Sequence, residues 1–336
     1  MPKYWMISDR NVEPDRLGSD RDDLTYWISD SDDVSNLKKW KQVSNQDAFR
    51  DQLVDAADNF PDVEDPALNE RQRHVTIFVH GYNNSWEDAA LRYRSLCKSI
   101  FSGPNSMGLC VLFTWPSDGM VTNYLPDRAD ARNAAPDLAQ VLSELYDWLL
   151  IKQRAGAVDP GNACKAKTSL IAHSMGNYVL QNAMQLAWTR KNQPLLVSLI
   201  NQLLMVAADV DNDLFRMDGS TDTSDGDAIS NLTYRITALY TGRDPVLGMS
   251  AGLKHFGKRR LGRSGLDRTL PLPDNVWDVD CSSLFAANQS EIHSAYFGAK
   301  KTINLMREIL KGVDRNVLTE SGVAPGAAIV RAPINA

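Results

Sequence analysis

Leu170-Ile171-Ala172-His173-Ser174-Met175-Gly176 decides the fold class of this chain of 336 residues. The run Thr168–Ala172 is apolar or β-branched throughout, the mark of a strand covered on both faces. Behind it Val179, Ala183, Leu186 and Ala187 recur at helical spacing through Ser174–Trp188. A serine between such a strand and such a helix, with small residues two positions before and after it, reads as a nucleophile elbow, because the sharp turn presses those two positions against neighbouring chain. Gly176 fits the pattern; Ala172 replaces the usual glycine and adds one methyl group. The helix behind Ser174 points its first amides at the serine and favours negative charge there. The simpler alternative is a serine that only caps a helix.

The same strand-then-helix unit recurs on both sides. Val75–Val79 runs into His80-Gly81-Tyr82-Asn83 and then a helix capped by Ser85, with Ala89, Tyr93, Leu96, Cys97 and Ile100 on one face. Leu109–Phe113 is followed by Leu138, Val141, Leu142, Leu145, Trp148 and Leu149 in a helical stripe. Gln202–Ala208, Thr233–Tyr240 and Val276–Cys281 read as further short strands, and His293–Lys311 as a last helix. Continuous apolar strands alternating with long helices predict an α/β fold, a mostly parallel central sheet with helices on both faces. Residues 1–70 read as an N-terminal extension. In it, 3–8 and 24–28 pair as an edge hairpin across the polar turn Arg10–Asp23, and Phe49, Leu53, Val54 and Ala57 mark a connector helix ending near Pro61. Residues 71–311 form the catalytic domain, and 312–336 a loosely docked or mobile tail. From Asp209 to Leu232, including the acidic loop Asp218–Asp227, there is too little chain for a large cap domain, so access falls to the 115–130 and 245–275 loops.

An acid and a histidine are expected after the serine, in that order. Asp244, just past Thr233–Tyr240, is the expected acid, with Asp209 after the preceding strand as the alternative acid or a pocket residue. Among five histidines, His293 follows the last strand and is the expected base, while His255 lies in a basic, Gly-rich insertion and reads as a surface residue. The backbone amides of Tyr82 and Met175 are the expected oxyanion donors. His80, Asn83, Trp115 and Tyr124 are candidate pocket residues. The cluster Lys254, Lys258, Arg259, Arg260, Arg263 and Arg268 reads as a solvated loop, or as a lure for an anionic acyl group or an acidic partner.

With 43% hydrophobic and 23% charged residues the chain is neither collagen-like, disordered nor a coiled coil. Thirty-six basic against 42 acidic residues, a formal charge of −6, argue against a nucleic-acid partner. Four scattered cysteines lack metal-ligand spacing and read as reduced structural thiols; no metal or organic cofactor is expected. No apolar run reaches the roughly 18 residues of a membrane span, no signal peptide is evident, and the expected location is cytoplasmic.

His80-Gly81-Tyr82-Asn83, Phe113-Thr114-Trp115-Pro116-Ser117, His173-Ser174-Met175-Gly176-Asn177, Ala207-Ala208-Asp209-Val210-Asp211 and His293-Ser294-Ala295-Tyr296-Phe297 together resemble a bacterial family of α/β-hydrolases of unknown function, over about residues 71–311. The resemblance implies the α/β-hydrolase fold and a serine hydrolase, without naming a substrate. The expected chemistry is hydrolysis of a small-molecule carboxylic ester through a Ser174-His293-Asp244 triad and an acyl-enzyme. Thioester or amide cleavage, and a non-catalytic binding module on the same fold, stand as alternatives.

Overall fold

The computed structural model describes residues 2–60, 72–117, 124–162, 164–190, 198–217, 226–254 and 257–326. Strands β1 (Tyr4–Val12), β2 (Leu17–Ser29) and β3 (Lys41–Val43) precede helix α1 (Gln46–Asp58). Then come β4 (His74–Val79), α2 (Trp86–Ile100), β5 (Gly108–Thr114), α3 (Tyr124–Val158), β6 (Lys167–His173), α4 (Gly176–Arg190) and β7 (Ile200–Val206). They are followed by α5 (Asp227–Leu232), β8 (Thr233–Tyr240), α6 (Pro245–Met249), a π turn at Ser250–Lys254, α7 (Leu261–Ser264), β9 (Val276–Asp280), α8 (Ile292–Ala295), α9 (Lys300–Lys311) and α10 (Arg315–Glu320).

All nine strands join one sheet in the order β3-β2-β1-β5-β4-β6-β7-β8-β9. From β1 to β9 every neighbouring pair is parallel; only β1–β2 and β2–β3 are antiparallel. The two-residue period of a strand sends alternate side chains into two core layers. Ile77 and Val79 join Val111 and Phe113 beneath α1, α3 and α4, while Phe78 joins Leu112 beneath α2 and α9. Each such fully buried side chain contributes about 1.5–3 kcal/mol relative to exposure. The Ser85 cap is present as a capping box with Asp88, which anchors the start of α2 beside the β4 loop.

The N-terminal hairpin pairs as read, from Tyr4 with Ser29 to Ser8 with Thr25, and extends the parallel sheet beyond β5, with the three-residue β3 outside it. Its first strand lies inside the sheet, with Trp5 in register with Val111 and Ser8 with Thr114. The Trp5 amide donates to the Tyr93 hydroxyl (3.0 Å), which in turn donates to the Cys110 carbonyl (2.7 Å). The polar stretch predicted as a turn is largely ladder, pairing Arg10 with Arg21 and Val12 with Leu17. Its exposed residues carry no apolar alternation, so the strand period was invisible there. The predicted helix 293–311 breaks between α8 and α9, where Ala299 is extended and the Thr302 hydroxyl donates to the Tyr296 carbonyl (2.7 Å). Beyond it, α10 packs Leu318 and the following Ala324 into the core, so residues 312–326 are docked; 327–336 lie outside the described residues, as do 218–225 of the acidic loop. Among the described residues no helix is long and apolar enough to cross a membrane.

Candidate active site

The turns that follow β4, β6, β7, β8 and β9 all open at the carboxyl end of the parallel sheet, where such sheets present ligand sites. Ser174 forms the turn between β6 and α4 with φ +53°, a left-handed conformation unusual for a residue with a Cβ. The strain is held by hydrogen bonds on both sides: the Ser174 amide donates to the Val206 carbonyl (3.0 Å), and its carbonyl accepts from the Asp209 amide (3.1 Å). A Cβ on Gly176 would lie 2.3 Å from the His80 carbonyl oxygen, and one on Gly81 would lie 2.6 Å from the Ser174 Cβ. Both glycines are therefore required for the β4 loop to lie against the serine.

Three predicted residues meet. His293 Nδ1 lies 2.7 Å from Asp244 Oδ2, and His293 Nε2 lies 2.8 Å from Ser174 Oγ. A carboxylate only accepts, so Nδ1 carries the proton and Nε2 accepts from the serine hydroxyl. Asp244 is wholly buried and caps α6 by accepting from the Leu247 amide through Oδ1 (3.0 Å), which leaves Oδ2 for the imidazole. Such a relay can draw the proton from Ser174 Oγ as the oxygen attacks an electrophile. Arg243, next to Asp244, donates to the Ala286 and Ala287 carbonyls (2.9 and 2.8 Å) and so fixes the loop that carries His293.

Tyr82 lines the same cleft as Ser174, Met175 follows the serine in the turn, and the Met175 amide has no hydrogen-bond partner among the described residues. Asn84 Nδ2 donates to the Gly81 and Tyr82 carbonyls (2.8 Å each), fixing the peptide orientations of this loop. Ser174 and His293 open onto a cleft of about 200 Å³ walled in part by Tyr82, Asn83, Tyr124, Val246 and Met249.

Two pocket assignments need correction. His80 and Trp115 are completely buried and stack on each other, with centroids 5.4 Å apart and planes at 4°. His80 Nδ1 donates to the Gly81 carbonyl (2.9 Å) and its Nε2 accepts from the Trp115 amide (3.2 Å), so the pair braces the loop from behind and does not line the cleft. Asp209 does reach the cleft but makes no contact with His293. Its Oδ1 accepts from Arg260 Nε (2.8 Å) and the Ser250 hydroxyl (2.9 Å), and its Oδ2 from the Tyr124 hydroxyl (2.8 Å). Burial works to raise the Asp209 carboxyl; the Arg260 charge and the two hydroxyls outweigh it and hold it below the ordinary range.

The basic insertion is also not simply a solvated loop. Arg260 is wholly buried and also pairs with Asp211, Lys258 pairs with Asp211, and Arg268 with Asp278. Arg263 donates to the Asp244 carbonyl, bracing the acid from below. Long-range pairing of this kind leaves no periodicity in a sequence. His255 lies outside the described residues, as does the Lys254 side chain. Replacing Arg260 by methionine is expected to strand a buried carboxylate and cost about 3–5 kcal/mol in urea unfolding. Adding Asp209→Asn should restore more than half of that; a single variant as stable as the parent would show that the pair carries no such weight.

Residues 57–304 match the family described as "Alpha/beta hydrolase of unknown function" (DUF900). The chain belongs to this family. No curated protein matches the sequence. Among solved structures, the chain is similar to a Pyrobaculum calidifontis esterase, with 12% identity, TM-score 0.34, and coverage of 72% of this chain and 76% of the esterase. A thermophilic carboxylesterase cloned from a metagenomic library matches at 10% identity and TM-score 0.37, covering 89% of this chain and 87% of its own. Aspergillus fumigatus lipase B matches at 10% identity and TM-score 0.40, covering 95% and 68%.

Among the described residues three histidines, His74, His80 and His173, are buried in neutral form. Burial, with the Lys167 charge, lowers His74 to about 3; burial lowers His80 and His173 well below the usual range, helped by Arg10 and Arg92 respectively. The unfolded chain protonates all three as pH falls through about 6.5 while the folded chain does not, so stability is full above that pH and declines below it. Each excluded proton costs about 1.4 kcal/mol per pH unit. In an Asp9→Asn background, which removes the opposing contribution of a buried carboxyl that burial raises well above its ordinary range, the unfolding free energy is expected to drop by about 4 kcal/mol from pH 7.5 to 5.5 by chemical denaturation, and a flat profile there would mean that all three rings are protonated in the fold.

Proposed function

We propose that this hydrolase cleaves carboxylic esters of small molecules by covalent catalysis. Ser174 attacks the carbonyl, His293 takes its proton and returns it to the leaving alcohol, and Asp244 holds the imidazole in the tautomer that accepts from serine. The Tyr82 and Met175 amides stabilise the oxyanion, and water, deprotonated by the same histidine, then releases the acid. The unit assigned to this chemistry is residues 71–311, whose sheet is completed by the N-terminal strands. The observation that carries the reading is the continuous hydrogen-bonded path from Ser174 Oγ through His293 to Asp244, at 2.8 and 2.7 Å, starting from a serine in a strained turn. The protein needs no group beyond its own side chains and backbone for this cycle.

Reaction with a fluorophosphonate, followed by mapping of the adduct by peptide mass spectrometry, tests the reading. A single adduct on Ser174, together with turnover of p-nitrophenyl esters, is expected. A protein that forms no adduct and turns over no ester, thioester or amide is a binding module on a hydrolase fold.

A further inference from the structure

The cleft is walled by two separately hydrogen-bonded groups of side chains. Tyr124, Asp209 and Ser250 form one, and its charge is balanced by Arg260. Arg92, Asn84 and His173 form the other, and its charge is not balanced. Arg92, on α2, lines the cleft together with Ser174 and His293 and is largely shielded from solvent. Its Nη1 donates to Asn84 Oδ1 (3.1 Å) and faces His173 Nδ1 at 3.4 Å. His173 donates through Nε2 to the His293 carbonyl (2.9 Å), so its Nδ1 is a neutral acceptor. The polar partners of Arg92 among the described residues are Asn84 and His173, with no carboxylate ion-paired to it; Asp88 and Glu291 act on it only from a distance. Burial accordingly makes the guanidinium's charge harder to hold.

A partly desolvated guanidinium with neutral neighbours is costly, and the cost is recovered when an oxyanion fills the fork. Its five N–H donors lie in one plane, and two acceptors satisfy few of them. We infer that Arg92 is an anion-recognition residue, and that the substrate of the reaction proposed above is an ester carrying a carboxylate or phosphate group a few atoms from the scissile carbonyl. The inference rests on that reading for the word ester, and on Arg92 alone for the anion. The balance between the walls gives the preference a sign: Asp209 offers no free negative charge to attract a cationic substrate, whereas Arg92 offers a free positive one.

Asn84 gives a competing structural account, since Arg92 grips the residue that clamps the Gly81 and Tyr82 carbonyls. Loss of that grip would impair every ester alike. Loss of anion recognition changes the ratio between anionic and neutral esters. The experiment therefore measures kcat/KM for matched pairs. Monomethyl adipate against methyl hexanoate puts the charge on the acyl side, and 4-acetoxybenzoate against phenyl acetate on the alcohol side; 4-acetoxyphenyl phosphate separates phosphate from carboxylate.

The parent is expected to favour the anionic member of at least one pair. In Arg92→Gln that anionic-to-neutral ratio is expected to fall on the order of 10–100-fold, as loss of a charge-assisted hydrogen bond implies, with Arg92→Lys falling between. No anionic preference in the parent, or an unchanged ratio in Arg92→Gln, overturns the inference. Calorimetric titration of the parent and Arg92→Gln with glutarate and with inorganic phosphate needs no turnover. Arg92-dependent binding of either anion in a protein that neither labels nor hydrolyses upholds the anion site and rejects the ester reading. Absence of binding, with labelling intact and the ratio unmoved, does the reverse.

Discussion

Ser174→Ala is expected to abolish fluorophosphonate labelling and to lower ester kcat by about 10⁶, as removal of an activated serine does elsewhere. The size follows from the geometry. Among the described residues only Ser174 Oγ lies within hydrogen-bond distance of His293 Nε2, so no second oxygen among them inherits the activated position. The side chain is small and its backbone is fixed by Val206 and Asp209, and alanine therefore removes the hydroxyl while the turn keeps its shape. A residual rate from the oxyanion donors is expected, and combining Ser174→Ala with His293→Ala should cost little more than either alone, since the two act as a unit. Retained labelling in Ser174→Ala, or additive losses in the double variant, would locate the chemistry elsewhere.

The second large effect is expected from Asp244→Asn, with a drop in kcat of about 10⁴. Oδ1 of Asp244 accepts from the Leu247 amide, so an asparagine keeps its oxygen there and turns its NH₂ toward His293. That group donates to Nδ1 and moves the imidazole proton to Nε2, where it opposes the serine hydroxyl. The fold and KM should change little because α6 keeps its cap. Asp209→Asn supplies the contrast. Its carboxylate touches Tyr124, Ser250 and Arg260 but not His293, so it should lower stability without the tautomer defect. Equal losses of kcat in the two variants would remove Asp244 from its assigned role.

The sequence made the central sheet legible because β4, β5 and β6 are buried on both faces and carry runs of apolar or β-branched residues, with shorter runs at the ends of β7 and β8. The turn at Ser174 was legible because two small residues flank it at the required spacing. Asp244 and His293 were found from their order after successive strands, the one long-range relation that chain order encodes. What stayed hidden depends on partners distant in sequence. Arg260 reads as one charge among six in its insertion, and only the folded chain shows it buried against Asp209, 51 positions away. Arg92 occupies a helix position that a solvated arginine would also occupy. His80 and Trp115 sit where a pocket wall belongs in the chain order, yet their rings stack inward. Asn84 could have been noticed: an asparagine two and three residues beyond Tyr82 and Gly81 is in reach of their carbonyls, the local bonding its short amide favours.

The position of β1 inside the sheet also sets a timetable. Its parallel partner β5 is made roughly 100 residues later, about 5–20 s at ordinary rates of synthesis. Until then Tyr4, Trp5, Met6 and Ile7, all buried in the finished molecule, have only the hairpin partner β2 on one side. The newborn chain thus carries an open, aromatic strand edge throughout the manufacture of α2 and β5, and slowing translation across residues 60–115 should raise the fraction that aggregates or is captured by chaperones.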